Sequence, residues 1–475
     1  MHVTNTASVS EDCLAGLSQA VVAELLEYYI DYIHDKPHSL FHNPSLRREV
    51  HNGQADRAVL CSILALSARF SSSAETRLKG PLLAKQAQDL LTVDFEDTSL
   101  SKIQAWVILG NVCGARHDYI TESLFFGLAI KTAYITGLTA PHDGDTAVMS
   151  EVRARVWWTL FMLDRWSSAG LALPRQISEQ QNSQHLPRSE IVFHGLPTEV
   201  NSWPEDNTEL GLWAHMVALV QHFGPIQDLN RLVATDGASE AHVDYTVSSI
   251  AHELEDWQNN LPRSARLSED SLEWHRSQGH GRTLVALHMG YYHYATLLFF
   301  QYLDRAALSL SHAAVYAERC REHASGFSDL LRTSHDTPGC EAVYNIVGHM
   351  TVVSSSVLIH TLLFGDEAQV TPAKARLESN FKILMKLKDW WPSVKTMMSK
   401  LFRFQQACLD SVDERTHKVD RWMVKFLLEH GSQLGQKTSE PTQETSPRSA
   451  TDLAAEHWLS ARNELTREAF SHIQR

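Results

Sequence analysis

Apolar residues recur along this chain at the three-and-four spacing of an α-helix, and no stretch alternates in the manner of a strand. From Ser18 the pattern places Val21, Val22, Leu25, Leu26, Tyr29 and Ile33 on one face. A proline- and histidine-bearing turn follows over His34–Pro44. Val59–Phe70 reads as a buried helix, Pro81–Leu91 as another with Pro81 near its start, and Ser99–Gly114 as a third capped by Ser99 or Ser101. Glu122–Leu138 pairs with the last of these as a hairpin, with Gly137 at the left-handed position that ends a helix and Leu138 as the closing contact. Ser178–Asn207 is polar and carries three prolines, the pattern of loops and short turns. Further helices are predicted over Gly211–Leu232 (bent at Gly224–Pro225), Ala238–Asn260, Thr283–Leu308, Ser311–Leu331, Glu341–Phe364, Pro372–Met385, Ser393–Cys408 and Val419–His430. The fold class is therefore all-α. Residues 1–17 read as a flexible tail, 18–431 as one helical domain, 432–452 as a linker rich in Ser, Thr, Gln, Pro and Gly, and 453–475 as a short amphipathic helix.

The stretch from Ser150 to Ile177 organises the rest. Ser150 is a candidate cap, Glu151 suits the positive end of a helix, and Glu151 and Arg155 are i,i+4 neighbours. Val152, Val156, Leu160 and Leu163 share a face that Trp157, Trp158 and Phe161 widen, so the helix is buried on most sides. Asp164 and Arg165 close it, Gly170 breaks it and Pro174 prevents its resumption. The pattern E-x-R-x-R-x-W-W-x-x-F-x-x-D-R, followed by small residues and L-P-x-x-I, resembles the hallmark segment of the fungal transcription factor regulatory domain, the middle homology region of zinc-cluster transcription factors. The segments L-A-L-S-A-R ending at Arg69, Q-A-x-x-x-L-G from Gln104 and G-x-A-x-x-x-A-x-x-x-G-L from Gly127 are similar to the same family. The resemblance spans residues 20–430 and is sharpest at 59–70, 103–138 and 150–177.

Charge and composition limit the chemistry. The net charge is −14, from 42 basic and 56 acidic residues, and the first 35 residues hold no Lys or Arg. A self-sufficient nucleic-acid binder needs clustered cations to displace counterions from phosphate. One local cluster exists: Lys382, Lys386, Lys388, Lys395, Lys400 and Arg403 against Asp389 alone, interleaved with Phe381, Trp390, Trp391 and Phe402. That pattern suits a nucleic-acid or receptor surface, or a solvated helix face whose lysine stems cover apolar surface. Two uncharged runs, Thr283–Leu303 and Ala342–Phe364, are long enough to span a bilayer, but their His, Tyr, Asn and Ser content fits buried core helices of a soluble intracellular protein.

Six cysteines match the number in a binuclear zinc cluster, but none form C-x2-C pairs; the nearest two, Cys320 and Cys340, are twenty residues apart. They read as buried thiols. His34, His38 and His42 are spaced by four twice, yet Pro37 and Pro44 interrupt any helix that would align them as ligands, so they are expected to face solvent or to pack. Asp164 and Arg165 read as an ion pair that orders the following turn rather than as an acid and base. No nucleophile elbow, phosphate loop, dinucleotide fingerprint or H-E-x-x-H pair occurs. The expectation is a non-enzyme with no catalytic residues, no metal and no cofactor.

The resemblance implies an all-helical regulatory module in the nucleus. Its expected partners are other transcription factors or coregulators, in a homo- or heterodimer, with DNA reached only indirectly and no membrane. It also implies a place beside fungal metabolic gene clusters. The zinc-cluster head, basic linker and coiled coil of the family are not found in these residues. The alternative is a stand-alone helical ligand-binding or scaffold protein.

Overall fold

The computed structural model describes residue 14, residues 16–413 apart from 94, 95, 97, 179–183, 201, 204–208, 236, 238 and 304–311, and Met423, Phe426 and Glu464. The linker and terminal helix expected at 432–452 and 453–475 lie outside the described residues, Glu464 excepted, as does the tail except at 14, 16 and 17. The described residues form α-helices and short 3-10 turns, with two isolated β-bridges and no strand. The fold is all-α. The chain divides into two compact units, Met1–Asp164 with Arg175–Gly211, and Arg165–Pro174 with Leu212–Arg475.

In the first unit, α1 (Gln19–Tyr32) starts at Ser18, whose side chain accepts the Val21 N–H. It buries Val22, Leu25, Leu26, Tyr29 and Ile30. The turn after it leads into α2 (Asn43–His51), a helix that the prolines conceal in the sequence: Pro44 occupies the first turn, where its missing N–H has no helical partner to lose. Asp56 caps α3 (Arg57–Ser67), which is apolar on nearly every side and tightens into a 3-10 turn over Ala68–Phe70. Next, α4 (Ala74–Val93) begins a full turn and more before the expected Pro81. Pro81 lies inside it, and Gly80 before it carries no Cβ to collide with the ring.

The expected hairpin is present as α5 (Leu100–Ala115), capped by Ser99, and α6 (Tyr119–Ile135), capped by Asp118. These helices approach closely at two glycines one turn apart. A Cβ on Gly110 would stand 2.3 Å from the Phe126 ring, and one on Gly114 would stand 2.1 Å from Glu122 Oε1. The Glu122 carboxyl thus fills the space a side chain would take. Burial, with Asp118 adding to it, pushes its pKa up to about 8. Gly137 sits at φ +60° and Leu138 returns its N–H to Ala133, so α6 ends as the sequence predicts.

The central helix, α7 (Ala147–Leu171), corrects the sequence reading at both ends. Thr146 rather than Ser150 caps it, accepting the Met149 N–H. It runs past Asp164, Arg165 and Gly170 and stops at Ala172, in the left-handed region at φ 55°. Leu173 N–H reaches Ser168 O and Ala172 N–H reaches Ala169 O, the paired bonds that close a helix end. An alanine there sends no signal in the sequence, because a left-handed alanine is unfavourable unless tertiary contacts impose it. The loop predicted over Ser178–Asn207 contains a short helix, α8 (Glu190–Gly195), among its described residues.

In the second unit the expected bent helix is two, α9 (Leu212–Gln221) and α10 (Phe223–Ala234), divided at His222; Pro225 falls in the first turn of α10. Ser239 caps α11 (Glu240–Asn260), and α12 (Glu269–Ser277) follows with a capping box at Ser268. Then come α13 (Gly281–Phe299), α14 (Ala313–Asp336), α15 (Ile346–Phe364), α16 (Glu367–Trp390) and α17 (Ser393–Asp413). A capping box at Asp366 starts α16 five residues before Pro372, where the sequence places its beginning. By length and composition α15 could cross a membrane, but every residue from Val347 to Phe364 is buried in protein. Its serines explain why: Ser354 and Ser355 join Ser328 and Asn380 in a buried hydrogen-bond network at 2.8–3.1 Å.

Candidate functional site

The first unit closes around one buried cation. Arg155 of α7 is fully withdrawn from water. Its Nε donates to Glu151 Oε1 at 3.0 Å, one turn back on the same helix, and its Nη2 donates to the Arg188 carbonyl at 2.6 Å. Its Nη1 donates to Ser39 Oγ at 3.1 Å and lies 3.6 Å from Asp35 Oδ1, while Nη2 lies 3.6 Å from Glu190 Oε1. The guanidinium stacks 4.4 Å from the Phe193 ring centroid. Thus the loop after α1, the body of α7, the strand-like residue Arg188 and the short helix α8 all converge on one side chain. A planar five-donor fork suits such a junction, and a lysine could not replace it.

Three carboxylates around one guanidinium carry surplus negative charge, and neutral donors balance it. Glu151 Oε1 accepts the Arg188 N–H at 2.8 Å. Asp35 Oδ2 accepts from His194 Nε2 at 2.8 Å, and Oδ1 accepts from the Ser39 hydroxyl at 2.5 Å. Burial alone would raise the Asp35 pKa, but His34 and His194 outweigh it and hold the carboxyl well below the usual range. Asp35 adopts φ 60°, a left-handed conformation that an aspartate tolerates, which turns the loop back over α7. Ser39 seals the loop to Thr159, N–H to Oγ1 at 3.0 Å and Oγ1 to carbonyl at 2.9 Å.

The histidines do not converge as their spacing suggests. His38 joins Tyr29 at 2.9 Å, and His42 joins Ser45 at 2.8 Å. All three of His34, His38 and His42 are buried, so the packing reading holds and the solvent-facing one does not. The group that does converge is His34, Asp35 and His194, with candidate ligand atoms within 4.8 Å of one another. Hydrogen bonding argues against a cation there. His34 Nε2 accepts the N–H groups of Leu40 and Phe41 at 3.1 and 3.0 Å, which puts its proton on Nδ1, the atom that would have to bind metal. His194 Nδ1 accepts the Asn43 N–H at 3.2 Å, so its proton likewise occupies Nε2. Both ligating nitrogens are protonated and aimed at Asp35, with the Arg155 cation beside it. Nor is Ser39, His194 and Asp35 a hydrolytic triad: the serine donates to the aspartate rather than to the histidine, and it is fully buried.

Asp164 ends the first unit's part of α7. Its oxygens accept the backbone N–H groups of Gln176 and Ile177 at 3.0 Å, so Asp164 orders the turn through the backbone, where the sequence suggests an ion pair with Arg165. In the lysine-rich stretch, Lys382, Lys386, Lys395 and Arg403 are exposed, whereas Lys400 is buried and so are the rings of Phe381 and Trp391. Trp390 and Phe402 are half-buried, so two of the four rings in this stretch are withdrawn from the lysine-bearing surface and two are partly exposed. The described cysteines are free thiols; burial pushes Cys113 up to about 12 and Cys320 upward as well, which keeps them protonated and unreactive. Cys13 lies outside the described residues.

The junction ties the loop after α1, the body of α7 and α8 into one buried ionic group. Residues 26–210, which hold every member of the junction, match the family model of the fungal specific transcription factor domain. Its relatives include the Zn(2)-C6 fungal-type transcription factor FTF1c of Fusarium oxysporum f. sp. lycopersici, 23% identical over 467 residues, 87% of this chain and 48% of that protein. FTF2 of the same organism is 24% identical over 87% of this chain and 42% of its own length. A transcriptional regulatory protein of Schizosaccharomyces pombe is 26% identical over 58% of this chain and 32% of its own. The chain spans about half the length of the curated relatives it matches. These relatives are transcription factors, not enzymes.

Proposed function

We propose that this chain regulates transcription in the nucleus through protein partners, other transcription factors or coregulators, rather than through base contacts of its own. The observation that carries the reading is the fungal specific transcription factor domain over residues 26–210, closed around Arg155. The net charge of −14 supports it, since it leaves little affinity for phosphate. The test pairs a gel-shift at physiological salt with affinity capture from nuclear extract. Recovery of a transcription factor or coregulator without sequence-specific DNA binding is expected. Tight, competitor-resistant binding of one duplex by the chain alone would overturn the reading. One observation favours a second role, effector binding: a cleft of about 820 Å³ at the start of α1.

A further inference from the structure

In the first unit, exposed large apolar side chains gather chiefly on two helices, and the two differ in what surrounds them. On α4, Leu78, Leu82, Leu90 and Val93 are exposed, but the ion pairs Glu75–Lys79 and Lys85–Asp89 stand among them, the mixture of a solvated face. On α6 the outward side is almost free of charge. Ile120 is 79% exposed, Leu124 59% and Ile135 65%. Leu128 is half-buried and Lys131 is exposed. The spacing 120, 124, 128, 131, 135 keeps all five in one stripe, because three or four residues return close to one helical turn. Only two residues of α6 are charged. Glu122 is turned inward against Gly114, which leaves Lys131 as the single charge on the stripe. Thr121, Ser123 and Thr132 flank it, and the Gln176 carboxamide lies 3.5 Å from where a Cβ on Gly127 would stand. An apolar stripe with a polar border is the anatomy of an interface.

The stripe is symmetric about its own midpoint, between Gly127 and Leu128: Ile120 mirrors Ile135, and Leu124 mirrors Lys131. A two-fold interface demands this property, since residue i must face residue j while j faces i. We infer that α6 is the contact surface for a second copy of this chain, the two helices crossing antiparallel over that midpoint. In this register Ile120 meets the second copy's Ile135. Leu124 lies under the aliphatic stem of the second copy's Lys131, whose ammonium stays in water. The two Leu128 side chains meet on the axis, beside a Gly127 that takes no room. Charge permits the pairing: the two Lys131 residues stand about 10 Å apart along the helices, roughly one Debye length at physiological salt. With 17 residues α6 is about 25 Å long, so the interface falls at the small end of its class and the dimer is weak and reversible. The inference rests on α6 alone, so its failure leaves the capture of a transcription factor or coregulator untouched.

The test is sedimentation equilibrium of the full chain, with a dimer expected to form at about 10–100 μM. Leu124→Lys sets a lysine against Lys131 at both ends of the pair and is expected to raise the dissociation constant about tenfold or more. Leu124→Glu sets an acid there instead and is expected to keep the dimer and make it salt-sensitive. Both changes fall on an exposed side chain, so circular dichroism is expected to stay unchanged. Cysteine pairing reads the register. A mixture of Ile120→Cys and Ile135→Cys chains is expected to cross-link on oxidation, whereas either variant alone is not, because each position lies about 22 Å from its own image. A chain that stays monomeric at the highest concentration, a dimer that Leu124→Lys leaves intact, or one that Leu124→Lys and Leu124→Glu weaken equally would each overturn the inference. Cross-linking of either cysteine variant with itself, without cross-linking in the mixture, would overturn it too.

Discussion

Arg155 and Glu151 stand one turn apart on α7, joined Nε to Oε1 at 3.0 Å, and neither side chain has any surface in contact with water. On an exposed helix such a pair contributes about 0.2–0.5 kcal/mol. Here it is the centre of a sealed group of charges whose members depend on one another. A buried ion pair is weak evidence of net stabilisation but a strong liability once one partner is removed.

Arg155→Met is therefore expected to destabilise the chain by about 3–5 kcal/mol, because Glu151, Glu190 and Asp35 are left uncompensated. Arg155→Lys keeps the charge but loses the fork that reaches Ser39 and the Arg188 carbonyl, and about 1–3 kcal/mol is expected. Urea titrations measure both. Wild-type midpoints for either variant would remove Arg155 from the centre of the fold.

The acid limb of stability belongs to the histidines. Burial lowers His194 and His42 from 6.5 to about 4, and His38 to about 3. The unfolded chain takes up these protons below pH 6.5 while the folded chain does not, so stability is fully present above pH 6.5 and falls as pH drops from there toward 4. His194→Gln, which keeps a donor for Asp35, is expected to flatten this slope. A denaturation series from pH 7.5 to about pH 4 checks it.

Glu122 works in the opposite direction. Its folded pKa of about 8 stands above the ordinary 4.5, so the folded chain binds the extra proton and stability declines as pH rises from 4.5 to about 8. Relative to wild type, Glu122→Gln gains stability across that window and reaches a plateau above pH 8. Gly114→Ala drives a methyl group into the same carboxyl and is expected to cost about 1–3 kcal/mol. A Glu122→Gln difference that stays constant with pH would place the carboxyl in water.

Metal binding at His34, Asp35 and His194 requires His194 to surrender the proton it donates to Asp35 and His34 the proton on the nitrogen facing Asp35, and turns N–H groups toward backbone donors. Added zinc is therefore expected to leave the thermal midpoint unchanged. A shift of several degrees that His194→Gln abolishes would overturn this tautomer assignment.

Periodicity by itself determined the all-α class and the existence of most helices, because a 3.6-residue repeat of apolar side chains is a local property. It also marked Ser18, Ser99 and Gly137 as ends, where the capping group is the residue itself. Where a local rule and a tertiary contact disagreed, the contact decided: Pro81 sits inside α4, Ala172 ends α7 in a left-handed turn, and α8 lies within a proline-bearing loop. The junction shows the same division. Glu151 and Arg155 are legible as neighbours because four residues make one helical turn. Asp35 and His194 are 159 residues apart and meet only because the loop after α1 and the short helix α8 fold onto the same side of α7. Pro37 and Pro44 tell from the sequence that His34, His38 and His42 share no helix face, and burial shows that they pack rather than face solvent. Convergence of distant polar groups has no period, so only the packed chain reveals it.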